Sequence, residues 1–489
     1  MKRRTLFIAY GILAAILLLV TAIQICRMHI PEKTYQVTEE TNDPYKGLVS
    51  TIEGTTTEML SADHWITEGG NRELFSQDEI EAFNHNNQPY VLYYSKTDSR
   101  DKKLFMNDLP EELPREAIES LINDESKSII YERKQPLYIN GEVASEDYFD
   151  DLRSLMAIDE IPETVEPVYA VCIKRCDAKT VPSEDFASED KDEIFFNDYT
   201  SSEVMPFAGV VILHESSDMQ WCYIIDGSFC GWIRKSNLAV CKDKDEWSSV
   251  CEPEDFLVVT GSEIVMDETA APTHSSGMVL PMGTRIALSK NNSETINGRS
   301  TIAAYCVDVP YRDDAGNLGL EQTLIPVSKD VNAGFMPMTS ENVLRQAFKF
   351  LGKVYGYGGT LCSNDCSGFI RQVYDCFGFD LPRNAAAIAQ LSDLGSIDCS
   401  KMTSEKKRSL ITEMPAGLPL YMSGHIMMYI GTEGGQPYVI SSCATTIEPG
   451  HDTQDLVDAY CIFVSGMDLK RASGLTWLDD ISYILWKEY

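Results

Sequence analysis

Positive charge is scarce in this chain. Lysine and arginine together number 41 against 75 aspartates and glutamates, a formal net charge of -34 over 489 residues. No basic patch of the kind that nucleic-acid backbones require is present, so a nucleic-acid partner is excluded. The acid excess selects no partner by itself, since an acidic surface is usually just a soluble one. Low-complexity tracts are also missing, and with 44% hydrophobic residues the composition is that of a globular protein. The 14 cysteines include no CxxC and no pair with zinc-finger spacing beside histidines, so neither a metal set nor a cofactor motif is read. Cys172 and Cys176, Cys222 and Cys230, and Cys362 and Cys366 are the close pairs. They fit buried thiols acting as small hydrophobes, or disulfides of an oxidising compartment.

There is only one long apolar run. It extends from Leu6 to Ile25, broken by Thr21 and Gln24, and follows Lys2, Arg3 and Arg4. About 20 apolar residues suffice to cross a bilayer core of ~30 Å as a helix. The basic flank places the N-terminus in the cytoplasm and the rest outside. The run exceeds a signal-peptide core, no small-x-small site ends it, and Cys26 lacks a lipobox context. The expectation is an uncleaved single-pass anchor, with secretion after cleavage as the other outcome.

The rest of the chain is long enough for three or four domains. Residues 1–30 are read as the anchor and 31–160 as a linker followed by a mostly helical region. In that region Ser76 and Glu79 form a capping box. His64 and His85 are isolated and read as surface or satisfied histidines. From about 165 the texture turns to short β runs: Tyr169–Ile173, Gly209–His214, Trp221–Ile225 and Phe229–Arg234, with an Asp226-Gly227 hairpin turn. Pro182–Glu193 reads as a solvated acidic insertion. A second set covers Phe256–Thr260, Glu263–Met266, Met282–Ala287 and Thr301–Val307. Two small β-barrels, 161–250 and 251–335, are expected.

A helical stripe of Val343, Ala347 and Leu351 opens the last region, 336–489. The loop Tyr355-Gly-Tyr-Gly-Gly359 and then Asn364-Asp365-Cys366-Ser367-Gly368-Phe369 come after it. A cysteine in the first turn of a helix faces unpaired N–H groups and the positive end of the macrodipole, which favour the nucleophilic thiolate. His425 begins a central strand and has the chemistry of its base. A third residue should orient the other ring nitrogen, and Ser441 or Ser442 on the next strand is placed to do so.

Residues 340–489 resemble an NlpC/P60 domain, a papain-like cysteine peptidase of bacterial cell walls. The resemblance rests on the 355–359 loop, Asp365–Phe369, Leu381-Pro-Arg-Asn384 with Gln390, Gly424-His-Ile-Met427 with Tyr429 and Gly431, and Arg471–Leu478. Gly231-Trp232-Ile233 resembles a bacterial SH3 (SH3b) repeat, and residues 50–160 more weakly a helical clip that precedes such domains. The implied fold class is α+β: a transmembrane helix, a clip, two SH3-like barrels and a papain-like domain. The implied reaction is hydrolysis of the γ-D-glutamyl–diaminopimelate (or lysine) bond in peptidoglycan stem peptides or muropeptides. By the same resemblance Cys366 is nucleophile, His425 base, and Tyr355, Asp365 and Ser367 line the adjoining subsite. The third catalytic position, usually histidine, is Ser441 here. The site is then a dyad helped by serine or water, a slow site, or one completed by His451. A wall-binding protein with an impaired catalytic domain, and a transferase on the same scaffold, are the competing readings.

Overall fold

The computed structural model describes residues 45, 47–290 and 293–485. The expected membrane span at 6–25 lies outside the described residues. No described helix is long and apolar enough to cross a membrane. Residues 1–50 and 51–489 are separate compact units, and the elements below belong to the second.

The region expected as a helical clip is mixed. Helices Gln77–Asn86, Arg115–Ile130 and Glu146–Met156 are interrupted by a hairpin, Val91–Ser95 with Arg100–Leu104. Ser76 and Glu79 do close the capping box on the first of these. The region also divides between two cores. Met59, Trp65, Phe75, Ile80 and Phe83 pack into the core of the C-terminal domain. Ile118, Ile122, Phe149 and Met156 instead join Trp221, Tyr223 and Trp232 of the first sheet. Glu73–Phe75 even pairs with Met338–Thr339, the strand before the C-terminal domain.

Between 168 and 333 the chain forms two large sheets. A seven-stranded antiparallel sheet holds Val168–Cys172, Gly209–Glu215, Trp221–Asp226 and Phe229–Arg234, with Cys176–Lys179, Thr200–Val204 and Leu238–Val240 added. A five-stranded sheet comes next, built around Ala304–Arg312 and Leu318–Pro326. Val171, Trp247, Leu257, Ile286 and Val309 form a core shared between the two sheets.

In the C-terminal domain, helix α1 (Ser340–Ala347) is capped by Thr339, and α2 (Cys366–Asp375) by Asp365. Helix α1 packs on α2, and α2 lies against a six-stranded antiparallel sheet. Its strands are β1 (Ser396–Asp398), β2 (Pro419–Met422), β3 (His425–Glu433), β4 (Gln436–Thr446), β5 (Val457–Gly466) and β6 (Ile481–Leu485), in the spatial order β1-β6-β2-β3-β4-β5. The near-continuous apolar run of β3 is explained by burial of His425 to Ile430 on both faces.

Trp65 marks where the N-terminal segment meets this sheet. Its ring lies 5.2 Å from that of Tyr438, and a Cβ on Gly431 would come within 2.8 Å of it. Gly431 also has φ +148°, which disfavours any side chain. Gly431→Ala is therefore expected to destabilise the protein by about 1–3 kcal/mol. Gly434→Ala, whose Cβ would meet nothing within 4 Å, should cost less. Urea midpoints of the two variants check the order.

Candidate active site

The start of α2 is held from all sides. The Asp365 carboxylate accepts the Gly368 N–H at 2.7 Å, capping the helix, and the Gly358 N–H at 3.2 Å. Arg383 grips the same carboxylate with two nitrogens, at 3.1 and 2.6 Å. Arg383 also donates to Ser367 Oγ at 2.8 Å and to Ser202 Oγ of the first sheet at 2.9 Å. Arg383 and Asp365 are both buried. Burial alone would raise the Asp365 pKa. The Arg383 charge, with hydrogen bonds from Arg383, Gly368 and Ser367, outweighs it, and the carboxyl stays below its ordinary value.

Asn364 is fixed as firmly. Its carbonyl accepts from Ser442 Oγ at 2.7 Å, tying the loop to β4. Arg175, from the first sheet's loop, donates to the Cys362 carbonyl at 2.8 Å and pairs with the buried Glu203 at 2.6 Å. Gly359 makes this approach possible, because a Cβ there would meet the Glu203 side chain at 2.4 Å.

Cys366 itself keeps partial exposure while packing against the domain core. Desolvation pushes its thiol up to about 11, and the neighbouring Asp365 charge adds to the rise. The N–H groups of Ile426 and Ser367 aim at the sulfur and oppose the rise without cancelling it. This corrects the expectation of a thiolate lowered by the helix start. The macrodipole is present, but the cap that completes the helix is itself an anion beside the sulfur.

His425 is buried at the head of β3, one residue before the amide that faces the sulfur. Its Nε2 lies 2.7 Å from Ser441 Oγ, which is fully buried on β4. That contact engages Nε2 and leaves Nδ1 as the other ring nitrogen. Trp477 packs edge-on against the imidazole at 5.4 Å. Desolvation and then the Arg471 charge lower the His425 pKa to about 4. At neutral pH the resting pair is thus thiol and neutral imidazole.

The other candidates fall at different distances from this pair. Tyr355 is half-buried, and burial with the nearby Asp365 and Cys366 raises its hydroxyl above the ordinary value, so it remains a donor. Asp365 and Ser367 are engaged by Arg383 and by each other rather than presented as open ligands. His451 stands at the surface beside Glu53 and Asp455, at 3.6 and 3.7 Å, whereas Ser441 is the residue on the imidazole. Among the described residues, the one grouping with metal-like spacing is Glu53, Glu448 and His451. No disulfide is formed among the described residues; Cys172 and Cys176 approach to 3.6 Å.

Sequence reasoning missed the cover. Past the acidic insertion, Phe195 stacks on Tyr460 at 3.8 Å and Phe196 packs 5.1 Å from Tyr357. The insertion therefore leads into a wall over the cysteine loop as well as forming a solvated surface. Arg383 lies within the Leu381–Asn384 motif, but the sequence alone marks no role for it. Arg175 and Glu203 carried no sequence signal, since what they touch on the cysteine loop lies about 160–190 residues away.

Comparison with known proteins bears on this geometry. Residues 352–448 match the NlpC/P60 family. The match spans the cysteine loop, α2, β3 and Ser441. The fold resembles a structure described as a novel NlpC/P60 endopeptidase from Photobacterium damselae subsp. piscicida, with TM-score 0.64 and 16% identity over 87% of this chain and 94% of that one. A second resemblance, to an NlpC/P60 family protein from Bacillus cereus ATCC 10987, has TM-score 0.44 and 13% identity over 65% of this chain and 98% of that one. No curated protein matches by sequence.

The rise of the thiol gives a direct prediction. Alkylation of Cys366 by iodoacetamide should keep accelerating as pH rises beyond 9, toward the thiol pKa of about 11. An ion-paired cysteine would instead reach its plateau below neutrality. Peptide-resolved mass spectrometry after timed labelling reads the profile.

Proposed function

We propose that the protein is a cysteine endopeptidase acting on peptidoglycan stem peptides, cutting the γ-D-glutamyl–diaminopimelate (or lysine) bond. The observation that carries this reading is that the Ile426 amide beside the Cys366 sulfur directly follows His425, whose ring is held by Ser441, inside the segment that matches NlpC/P60. Cys366 acts as nucleophile. Because the resting pair is neutral, His425 takes the thiol proton as the sulfur attacks the scissile carbonyl. The tetrahedral oxyanion is met by the Cys366 amide, which helix geometry leaves without an intrahelical acceptor. His425 then returns the proton to the leaving amine, and later activates the water that cleaves the thioester. Ser441 holds the ring without charge, so the imidazolium formed in the transition state gains little from it.

The wall of Phe195 and Phe196 covers Tyr460 and Tyr357 of the neighbouring loops, and we read it as a cover that favours a short unbranched peptide. The two sheets at 161–250 and 251–335 are read as the SH3b-like pair, and residues 6–25 as the anchor that holds the catalytic domain outside the membrane. One observation favours a second reading, a wall-binding protein with impaired catalysis. It is the combination of an uncharged Ser441 with a thiol near 11 and an imidazole near 4.

The purified chain is expected to cleave L-Ala-γ-D-Glu-diaminopimelate, and Cys366→Ala to abolish cleavage. Activity should fall as pH drops toward about 4, where His425 becomes protonated and can no longer accept the thiol proton. Chromatography of the released peptides checks both. Equal inertness of wild type and Cys366→Ala, with both retained on peptidoglycan, would establish the binding reading instead.

A further inference from the structure

A second feature lies on the far side of α2. A cavity of about 420 Å³ opens where α2, the first sheet and the second sheet meet. Charged side chains from all of them line it. Arg371 and Asp375 come from α2, and Asp380 from the turn after it. Asp226 comes from the first sheet's hairpin, Arg285 from the second sheet, and Glu252 from the end of the helix between the sheets.

These groups act on one another only at a distance. Arg371 lowers, and Asp380 raises, the pKa of both Asp226 and Asp375. Yet among the described residues none of the six side chains makes an ion pair or hydrogen bond, and Arg371 Nε is buried without an acceptor. Burial raises Asp226 and Asp375 to about 7 each. Asp226, Arg371 and Asp375 are half-buried, and unpaired charge there carries a desolvation cost with little Coulombic return, while Glu252, Arg285 and Asp380 reach solvent at the rim. Here the gap is wide, both signs face it, and its volume lies within the ~300–1,000 Å³ typical of small-molecule sites. It is far larger than one metal ion needs.

The chemistry of the lining selects the ligand. Two guanidinium groups suit a carboxylate, which arginine binds in bidentate fashion. Of the five carboxylates in the lining Glu203 is held by Arg175, and the four without a partner against two arginines leave an acid excess that calls for more than one ammonium. We propose that this cavity binds a small diamino carboxylate, a basic amino acid or short basic peptide, with its carboxylate on Arg371 and Arg285 and its ammonium groups on Asp226, Asp375 and Asp380. The ligand joins three parts of the chain that otherwise meet here without a direct ion pair. Gly368 and Glu203, which flank the start of α2, line the same cavity, so occupancy bears on the helix that carries the nucleophile. The site needs no chemistry at Cys366 and stands whether or not the chain is a peptidase.

Isothermal titration of the intact chain at pH 7 tests this, with L-lysine and glycyl-L-lysine as probes. Cadaverine supplies the amines alone and succinate the carboxylates alone. The expected result is saturable binding of L-lysine or glycyl-L-lysine with a Kd at or below about 1 mM, and at least about tenfold weaker binding of the two partial probes. Arg371→Gln and Asp226→Asn should each weaken binding about tenfold or more. Arg285→Gln, on the second sheet, gives the same reading if a change on α2 prevents folding, and thermal melts identify folded variants. Absence of binding up to about 10 mM would overturn the proposal. So would cadaverine binding as tightly as lysine, or variants that bind as well as wild type.

Discussion

The buried ion pair between Asp365 and Arg383 is the interaction on which the rest of this structure depends. Asp365 caps the helix that begins with Cys366, and Arg383 satisfies both of its oxygens while reaching Ser202 on the first sheet. Removing one member of such a pair leaves an uncompensated buried charge, at a cost of about 3–5 kcal/mol. The cysteine loop, the helix and the neighbouring sheet are therefore held in one geometry. Glu203 and Arg175 repeat the arrangement nearby, with Arg175 gripping the carbonyl of Cys362.

The same pair sets the chemistry. Arg383 keeps Asp365 ionised, and the Asp365 charge adds to the desolvation that keeps Cys366 protonated. Burial and Arg471 keep His425 neutral. The rigidity that aligns the site thus works against a preformed thiolate–imidazolium pair. In the proposed reaction charge separation is left to the moment of attack, with Ser441 on the ring but lending it no negative charge. Under that proposal, stabilisation of the transition state falls on the amide at the helix start.

Much of this was legible in the sequence, for reasons specific to each element. The Val343, Ala347 and Leu351 stripe and the cysteine at a helix start announced the two helices, and the Asp226-Gly227 turn set the hairpin around it. Ser441 was readable because β3 and β4 are antiparallel neighbours, which brings side chains from the middle of β4 within reach of the start of β3. The division of the N-terminal region between two cores was not legible. Ile118 and Phe83 have the same amphipathic periodicity, and nothing local says which sheet each will cover. Nor was the thiol's direction of shift legible: the helix start was visible, but not the depth of burial around it. The wall made by Phe195 and Phe196 was hidden behind the acidic residues that precede it.

A resting site of neutral thiol and neutral imidazole is the state from which all of this chemistry starts. NMR of the imidazole nitrogens in isotopically labelled protein tests it directly, with His425 assigned by loss of its signal in His425→Gln. A neutral His425 ring is predicted at pH 7, unchanged in Cys366→Ala and protonating only as pH approaches about 4. A protonated His425 at pH 7 in wild type that becomes neutral in Cys366→Ala would contradict it.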